Sequence, residues 1–245
     1  MEKWEKFGVK INHRLKSVVH LVVPQTLVCD LKICEIKTKK TMHKRNLPHI
    51  YPQDAAFFIT FRLKNSIPRD VLAKMKEEEE QRIAEIRQSK LSEADKNEAI
   101  YAEKKRFFGR YDKALEKYAT DEDFLKIPKI AQIVADKMHE YDKKLYDLIA
   151  YCIMSNHVHL LFTIYNYENA DISYIMKLIK GGSAYLCNKA LNRTENFWQD
   201  ESYDHYIRNQ KEFTNIEYYI IENPVKAGLI EDWQQWKFTY WIENL

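Results

Sequence analysis

Two histidines one residue apart, His157 and His159, stand in the segment Asn156-His157-Val158-His159-Leu160-Leu161-Phe162. As a strand, this segment puts both imidazoles on one face and Val158, Leu160 and Phe162 on the other. The two Cα atoms then lie roughly 6.5 Å apart at about 3.3 Å rise per residue, so both rings can converge on one ion. The pair is half of a metal site; it equally suits two histidines that face solvent or hydrogen-bond within a core. Further along, Tyr219 and Asn223 are four residues apart and share a face if the segment is helical. Asn223 offers a carbonyl oxygen beside the Tyr219 phenol. A His/His/Asn set with open positions suits Mg²⁺ or Mn²⁺ bound together with a phosphate better than a closed zinc site. Asn223 also suits a helix C-cap before Pro224, and Tyr219 is one of sixteen tyrosines. Tyr203, Tyr206 and Tyr218 are its nearest competitors; on a helix Tyr218 points about 100° away from Tyr219 and lacks the i+4 partner.

The elements that must hold these residues follow from periodicity. Phe57-Phe58-Ile59-Thr60-Phe61-Arg62 is aromatic and β-branched with both faces largely apolar, as a central strand requires. From Pro68 to about Tyr118 the chain is rich in Lys, Glu, Arg, Ala and Gln, including Glu77-Glu78-Glu79-Glu80. This reads as a helical hairpin, its second helix capped by Ser92, and as a solvated insertion. Apolar residues at helical spacing from Ile127 to Tyr141 mark an amphipathic helix with Pro128 in its first turn. Leu145 to Met154 and Val158 to Ile164 form a hairpin about Ser155-Asn156. Asp171 to Leu191 is a second amphipathic helix, weakened at Gly181-Gly182; Tyr203 to Arg208 is a short edge strand, and a helix from Gln210 to Glu222 ends at Asn223-Pro224. The order strand, helix, hairpin, helix, strand, helix implies an α+β fold, an antiparallel sheet with helices on one face. An RNA-binding ferredoxin-like module has the same order.

Composition narrows the class without naming it. At 245 residues and 45% apolar content the chain buries a core without disulfides or a structural metal. Its four cysteines lack CxxC spacing, which fits a reducing cytoplasm. The apolar stretch from Ser17 to Cys34 is broken by His20, Pro24, Gln25 and Asp30 and carries no cleavage signal, so neither a leader nor a membrane segment is expected. Net charge is only +3, but residues 1–50 carry +7 and the remainder −4. Residues 1–45 are expected to be a basic N-terminal extension, and residues 46–245 one domain with the helical insertion at 68–118.

The stretch Ala150-Tyr151-Cys152-Ile153-Met154-Ser155-Asn156-His157-Val158-His159-Leu160-Leu161 resembles the AYxxMPNHVHLL block of REP-associated tyrosine transposases. Phe197-Trp198-Gln199, then Tyr203-Asp204-His205-Tyr206-Ile207-Arg208, then Tyr219-Ile220-Ile221-Glu222-Asn223-Pro224-Val225-Lys226-Ala227-Gly228-Leu229-Ile230 are similar to the family's FWQ, YDHxIR and YIxxNPVKAGLV, in the same order. With Phe57 to Leu63, the resemblance spans about residues 48–235. Ser155 departs from the family's proline but removes no ligand. The resemblance implies the ferredoxin-like HUH nuclease fold, with His157, His159 and Asn223 as metal ligands and Tyr219 as nucleophile. It further implies metal-dependent cleavage and rejoining of single-stranded DNA through a covalent 5′-phosphotyrosine, on hairpin-forming repetitive DNA, by a monomer or homodimer.

Five residues are candidates for holding the DNA. Lys177 and Lys180 precede glycines that let backbone amides approach phosphates; both equally suit solvated positions on an amphipathic helix. His205 and Arg208 stand near the second block, where they orient Tyr219 or phosphate, or simply end a strand. Trp198 can stack an unpaired base or fill a core. The rival from another class is a non-cleaving hairpin-binding protein on the same scaffold. A small-molecule metallohydrolase is disfavoured because no acidic ligand stands at convincing spacing.

Overall fold

The computed structural model describes residues 56–118, 122–164 and 171–242. The basic N-terminal extension lies outside the described residues. Five strands form one antiparallel sheet in the order β4-β1-β3-β2-β5: β1 (Ala56–Arg62), β2 (Asp147–Ile153), β3 (His157–Thr163), β4 (Tyr203–Tyr206) and β5 (Thr239–Trp241). β1 and β3 lie at the centre and are apolar on both faces, because each face is covered. This is the expected α+β architecture.

Helices α3 (Pro128–Glu140) and α4 (Ile172–Leu191) cover one face. Ile130, Val134, Met138, Ile175 and Ile179 pack there on Phe57, Ile59, Leu160 and Phe162. The opposite face is covered as well, by α5 (Gln210–Ile221), whose Ile220, Ile216 and Phe213 meet Phe58, Ile149 and Leu161. Helices on one face therefore describes α3 and α4; a second layer exists because β1, β2 and β3 are apolar at alternate positions on both sides. Gly181 and Gly182 do not interrupt α4. A Cβ on Gly182 would stand 3.0 Å from Cε of Lys137 on α3, so the smaller residue lets the two helices approach.

The polar segment after β1 is a helical pair, α1 (Arg69–Gln88) and α2 (Glu93–Lys117), with the Ser92 hydroxyl accepting from the amide of Asp95. No residue of α1 is buried, but the last turns of α2 bury one face. Phe107, Tyr111, Ala114 and Leu115 are buried with Ile67, and Phe108 reaches the second face of the sheet. The segment is thus part of the fold at one end, which corrects its reading as a purely solvated insertion. β5 was not anticipated: three residues of half-buried edge strand carry no alternation long enough to read.

Candidate metal and nucleophile site

Strand β3 pairs with β1 so that His159 faces Thr60 and His157 faces Arg62. Both imidazoles point to the face covered by α5, where His159 stacks on Phe58 at 5.7 Å between ring centres. Nε2 of His157 and Nε2 of His159 are 3.1 Å apart. Two nitrogens bound to one ion at about 2.1 Å each stand about 3.0–3.4 Å apart across angles between square and tetrahedral, so the spacing suits a shared cation.

The His157 tautomer is set from behind. Asn156 Nδ2 donates to the carbonyl of Leu115 at 2.9 Å, which turns Oδ1 toward Nδ1 of His157 at 2.7 Å. An amide oxygen only accepts, so Nδ1 carries the proton and Nε2 presents its lone pair. Thr60 Oγ1 lies 2.8 Å from Nδ1 of His159 and can accept in the same way. Burial, then the neighbouring His159, pushes the His157 pKa down to about 3, against the pull of Asp112. His157 is therefore neutral and ready to ligate at neutral pH.

Asp112 on α2 completes a triad with the two histidines, all three ligand atoms lying within 4.8 Å of one another. Its Oδ1 is 3.4 Å from Nε2 of His159, and its Oδ2 accepts from Lys226 Nζ at 2.9 Å. Burial raises the carboxyl pKa, but the close approach of His159 and the Lys226 ammonium outweigh it and hold the group ionised. An acidic group thus stands at metal reach where the sequence offered none at recognisable spacing. The legible signal was the run Phe107, Tyr111, Ala114, Leu115, an apolar stripe at helical spacing closing an otherwise polar helix.

Tyr219 and Asn223 approach from α5 and from the short helix α6 (Asn223–Lys226) that follows it. The Tyr219 ring lies 5.2 Å from the His159 ring. Its hydroxyl is buried beside Asp112 and Asn223 but makes no hydrogen bond of good geometry. Burial, then the negative charge of Asp112, drives the phenol pKa well above its ordinary value. Asn223 is fully buried with neither amide atom paired, so its side chain is not a C-cap; Glu222 holds that position. Asp112 Oδ1 is also without a hydrogen bond. Buried polar groups are almost always satisfied, and orphaned oxygens on Asp112, Tyr219 and Asn223 beside two nitrogen lone pairs fit a bound cation. Lys226, whose Nζ lies 5.1 Å from the Tyr219 ring centre, was not singled out from the sequence.

The other candidates lie elsewhere. Lys177 is exposed and Lys180 donates to the carbonyls of Gln199 and Asp200 and to Ser202; both sit on α4, behind the sheet from the histidines. Trp198 is a core residue, 4.8 Å from Phe61 and donating through Nε1 to Ser183 at 3.0 Å, so its ring is not free to stack a base. His205 lies 3.2 Å from Glu212 Oε1, which also accepts from Tyr101 and Lys105. The exposed Arg208 guanidinium stacks on Tyr101 at 3.5 Å. These two form a separate cluster at the β4 edge rather than a second layer around Tyr219.

The family model described as Transposase IS200 like matches residues 113–223. A putative REP-associated tyrosine transposase of Haemophilus influenzae is 31% identical over 104 residues, covering 38% of this chain and 58% of that protein. The REP-associated tyrosine transposase of Escherichia coli is 28% identical over 94 residues, 38% of this chain and 53% of its own length. The chain thus spans little more than half of each. A solved structure of a REP-associated tyrosine transposase bound to a REP hairpin aligns over 80% of this chain and 81% of its own at 18% identity, with a TM-score of 0.42. The fold assignment rests on the sheet described above. The resemblance to REP-associated tyrosine transposases carried by the sequence blocks therefore stands, and the matched residues 113–223 include His157, His159, Tyr219 and Asn223.

Proposed function

We propose that this protein is a single-tyrosine DNA transposase that cuts and rejoins one strand of hairpin-forming DNA, with Tyr219 as its nucleophile. The observation that carries this is the convergence of the Tyr219 hydroxyl, Asp112, Asn223 and His159 in one buried cluster of a single chain. The Tyr219 oxygen attacks the scissile phosphorus in line. A P–O bond to Tyr219 forms, the P–O3′ bond breaks, the phenol proton is lost and the departing 3′ oxygen takes up a proton. The 5′-phosphotyrosine conserves the bond energy, so a second 3′-OH reverses the step.

His157 and His159 would hold Mg²⁺ or Mn²⁺, with Asp112 and Asn223 supplying oxygen ligands. When bound, the cation supplies charge stabilisation at the non-bridging phosphate oxygens. Asn156 fixes the His157 tautomer, and Thr60 Oγ1 can accept from Nδ1 of His159. Lys226 favours the phenolate electrostatically and neutralises Asp112. The nearness of Tyr219 to its own chain's histidines supports catalysis within one subunit. The relatives' names support a transposase associated with REP DNA.

The wild-type protein with Mn²⁺ and a hairpin oligonucleotide should give a covalent adduct that survives denaturing electrophoresis. Tyr219→Phe should abolish it while binding stays within a few-fold. An adduct that persists in the variant excludes Tyr219; tight binding with no adduct from the wild type identifies a non-cleaving hairpin-binding protein.

A further inference from the structure

A cleft of about 350 Å³ opens where the end of β1, the turn after it and the start of α1 meet. Arg62, Lys64, Arg69 and Lys76 line it, Ile67 and Leu72 form an apolar wall, and no acidic residue takes part. Arg62 is the built element. It is 2% exposed, its Nη1 donates to Ser66 Oγ at 3.1 Å, and its buried Nε has no partner among the described residues. A buried guanidinium with an unsatisfied donor is costly unless something accepts from it.

The other cations add to this demand. Lys76 is paired with Glu201 at the rim, but the side chains of Lys64 and Arg69 have no ion pair among the described residues. The turn that carries them is pinned: the Leu63 amide donates to Asn156, the Lys64 amide to Phe197, and Ser66 Oγ to Leu63. Asn65 takes the left-handed conformation at φ 63, one that asparagine tolerates better than most residues. The cleft is thus preformed and positive.

Its position ties it to the histidines. Arg62 lies directly opposite His157 across the β1–β3 ladder, a relation that places the two Cβ atoms about 4.5–5.5 Å apart. A strand whose scissile phosphate sat at the histidine pair would carry a neighbouring phosphate toward this cleft. We propose that the cleft seats a backbone phosphodiester of the DNA strand next to the one being cut, with Arg62 as its buried donor, Lys64 and Arg69 as its charged rim, and the sugar against Ile67 and Leu72. This rests on the transposase reading above.

The test is the salt dependence of binding of a short single-stranded oligonucleotide by the full chain, wild type against Lys64→Gln/Arg69→Gln. A Lys129→Gln/Lys189→Gln protein, changed at exposed sites on α3 and α4, controls for net charge. Each lost single-strand phosphate contact should reduce the slope of log K against log salt by about 0.7, so the cleft variant should be shallower by about 0.7–1.4 and weaker by roughly tenfold at low salt, unlike the control. Equal slopes in variant and control, with adduct still formed by the wild type, overturn the cleft and leave the transposase reading intact. A wild type that neither binds the oligonucleotide nor forms an adduct overturns both. Thermal stabilisation by inorganic phosphate that the variant loses, with an unchanged DNA slope, would assign the cleft to a free anion and also overturn the proposal.

Discussion

Tyr219 occupies surroundings that favour its neutral form: its hydroxyl is buried and Asp112 is negative beside it. Its deprotonation, which the proposed attack requires, is favoured by a cation close by, and the Lys226 ammonium stands 5.1 Å from the ring centre. Glu212, in the neighbouring cluster, shows the opposite balance. Burial raises its pKa, but hydrogen bonds from Lys105, Tyr101 and the Arg208 amide, with the charge of His205, bring it down to about 2. A carboxyl whose folded pKa lies below its unfolded value of about 4.5 stabilises the fold fully above that value and loses the contribution as pH falls from there toward 2. The full contribution is on the order of 3 kcal/mol. Urea midpoints measured between pH 6 and pH 3 should therefore fall for the wild type and fall less steeply for Glu212→Gln; parallel profiles would show that Glu212 does not couple folding to protons.

At the scale of elements, α4 offers a clean test of helix propensity. Gly181 is exposed within α4 and has nothing within 4 Å of the position a Cβ would take, so Gly181→Ala should stabilise the protein by about 0.5–1 kcal/mol. Gly182→Ala should gain less, because the Lys137 side chain must first move aside. Thermal melts of the two variants decide it; equal gains would mean that α3–α4 packing does not select glycine at 182. The same elements show why most of the fold was readable. β1, β3, α3 and α4 each bury a face whose periodicity is written in the chain. The three-residue β5 was not readable, and the packed end of α2 was missed despite its apolar stripe. One is too short for a pattern, and the other joins a helix whose composition is otherwise that of a solvated surface.

The whole molecule is built so that α2, α5, α6 and the sheet meet at one buried point. A cation that binds only the folded arrangement stabilises it by mass action, about 2.7 kcal/mol at a hundredfold excess over Kd. For a chain of this size that corresponds to a rise in Tm of roughly 5–10 °C. Mn²⁺ should raise the Tm of the wild type and EDTA should reverse it. His159→Ala should lose the shift, and Asp112→Asn should reduce it if α2 contributes a ligand. A full shift in Asp112→Asn would leave Asp112 as a partner of Lys226 and His159 rather than of the metal.

The sequence by itself determined the local relations: His157 and His159 on one strand face, and Tyr219 and Asn223 one helical turn apart. Those relations are short-range and follow from the periods of strand and helix. Tertiary structure decided what distant segments bring to that spot. It placed Asp112 and Lys226 beside the histidines and Arg62 opposite His157. It also turned Trp198 into the core and Lys180 onto the carbonyls of Gln199 and Asp200. Which face of a helix or strand meets which partner depends on packing across the whole sheet, and no local period encodes that.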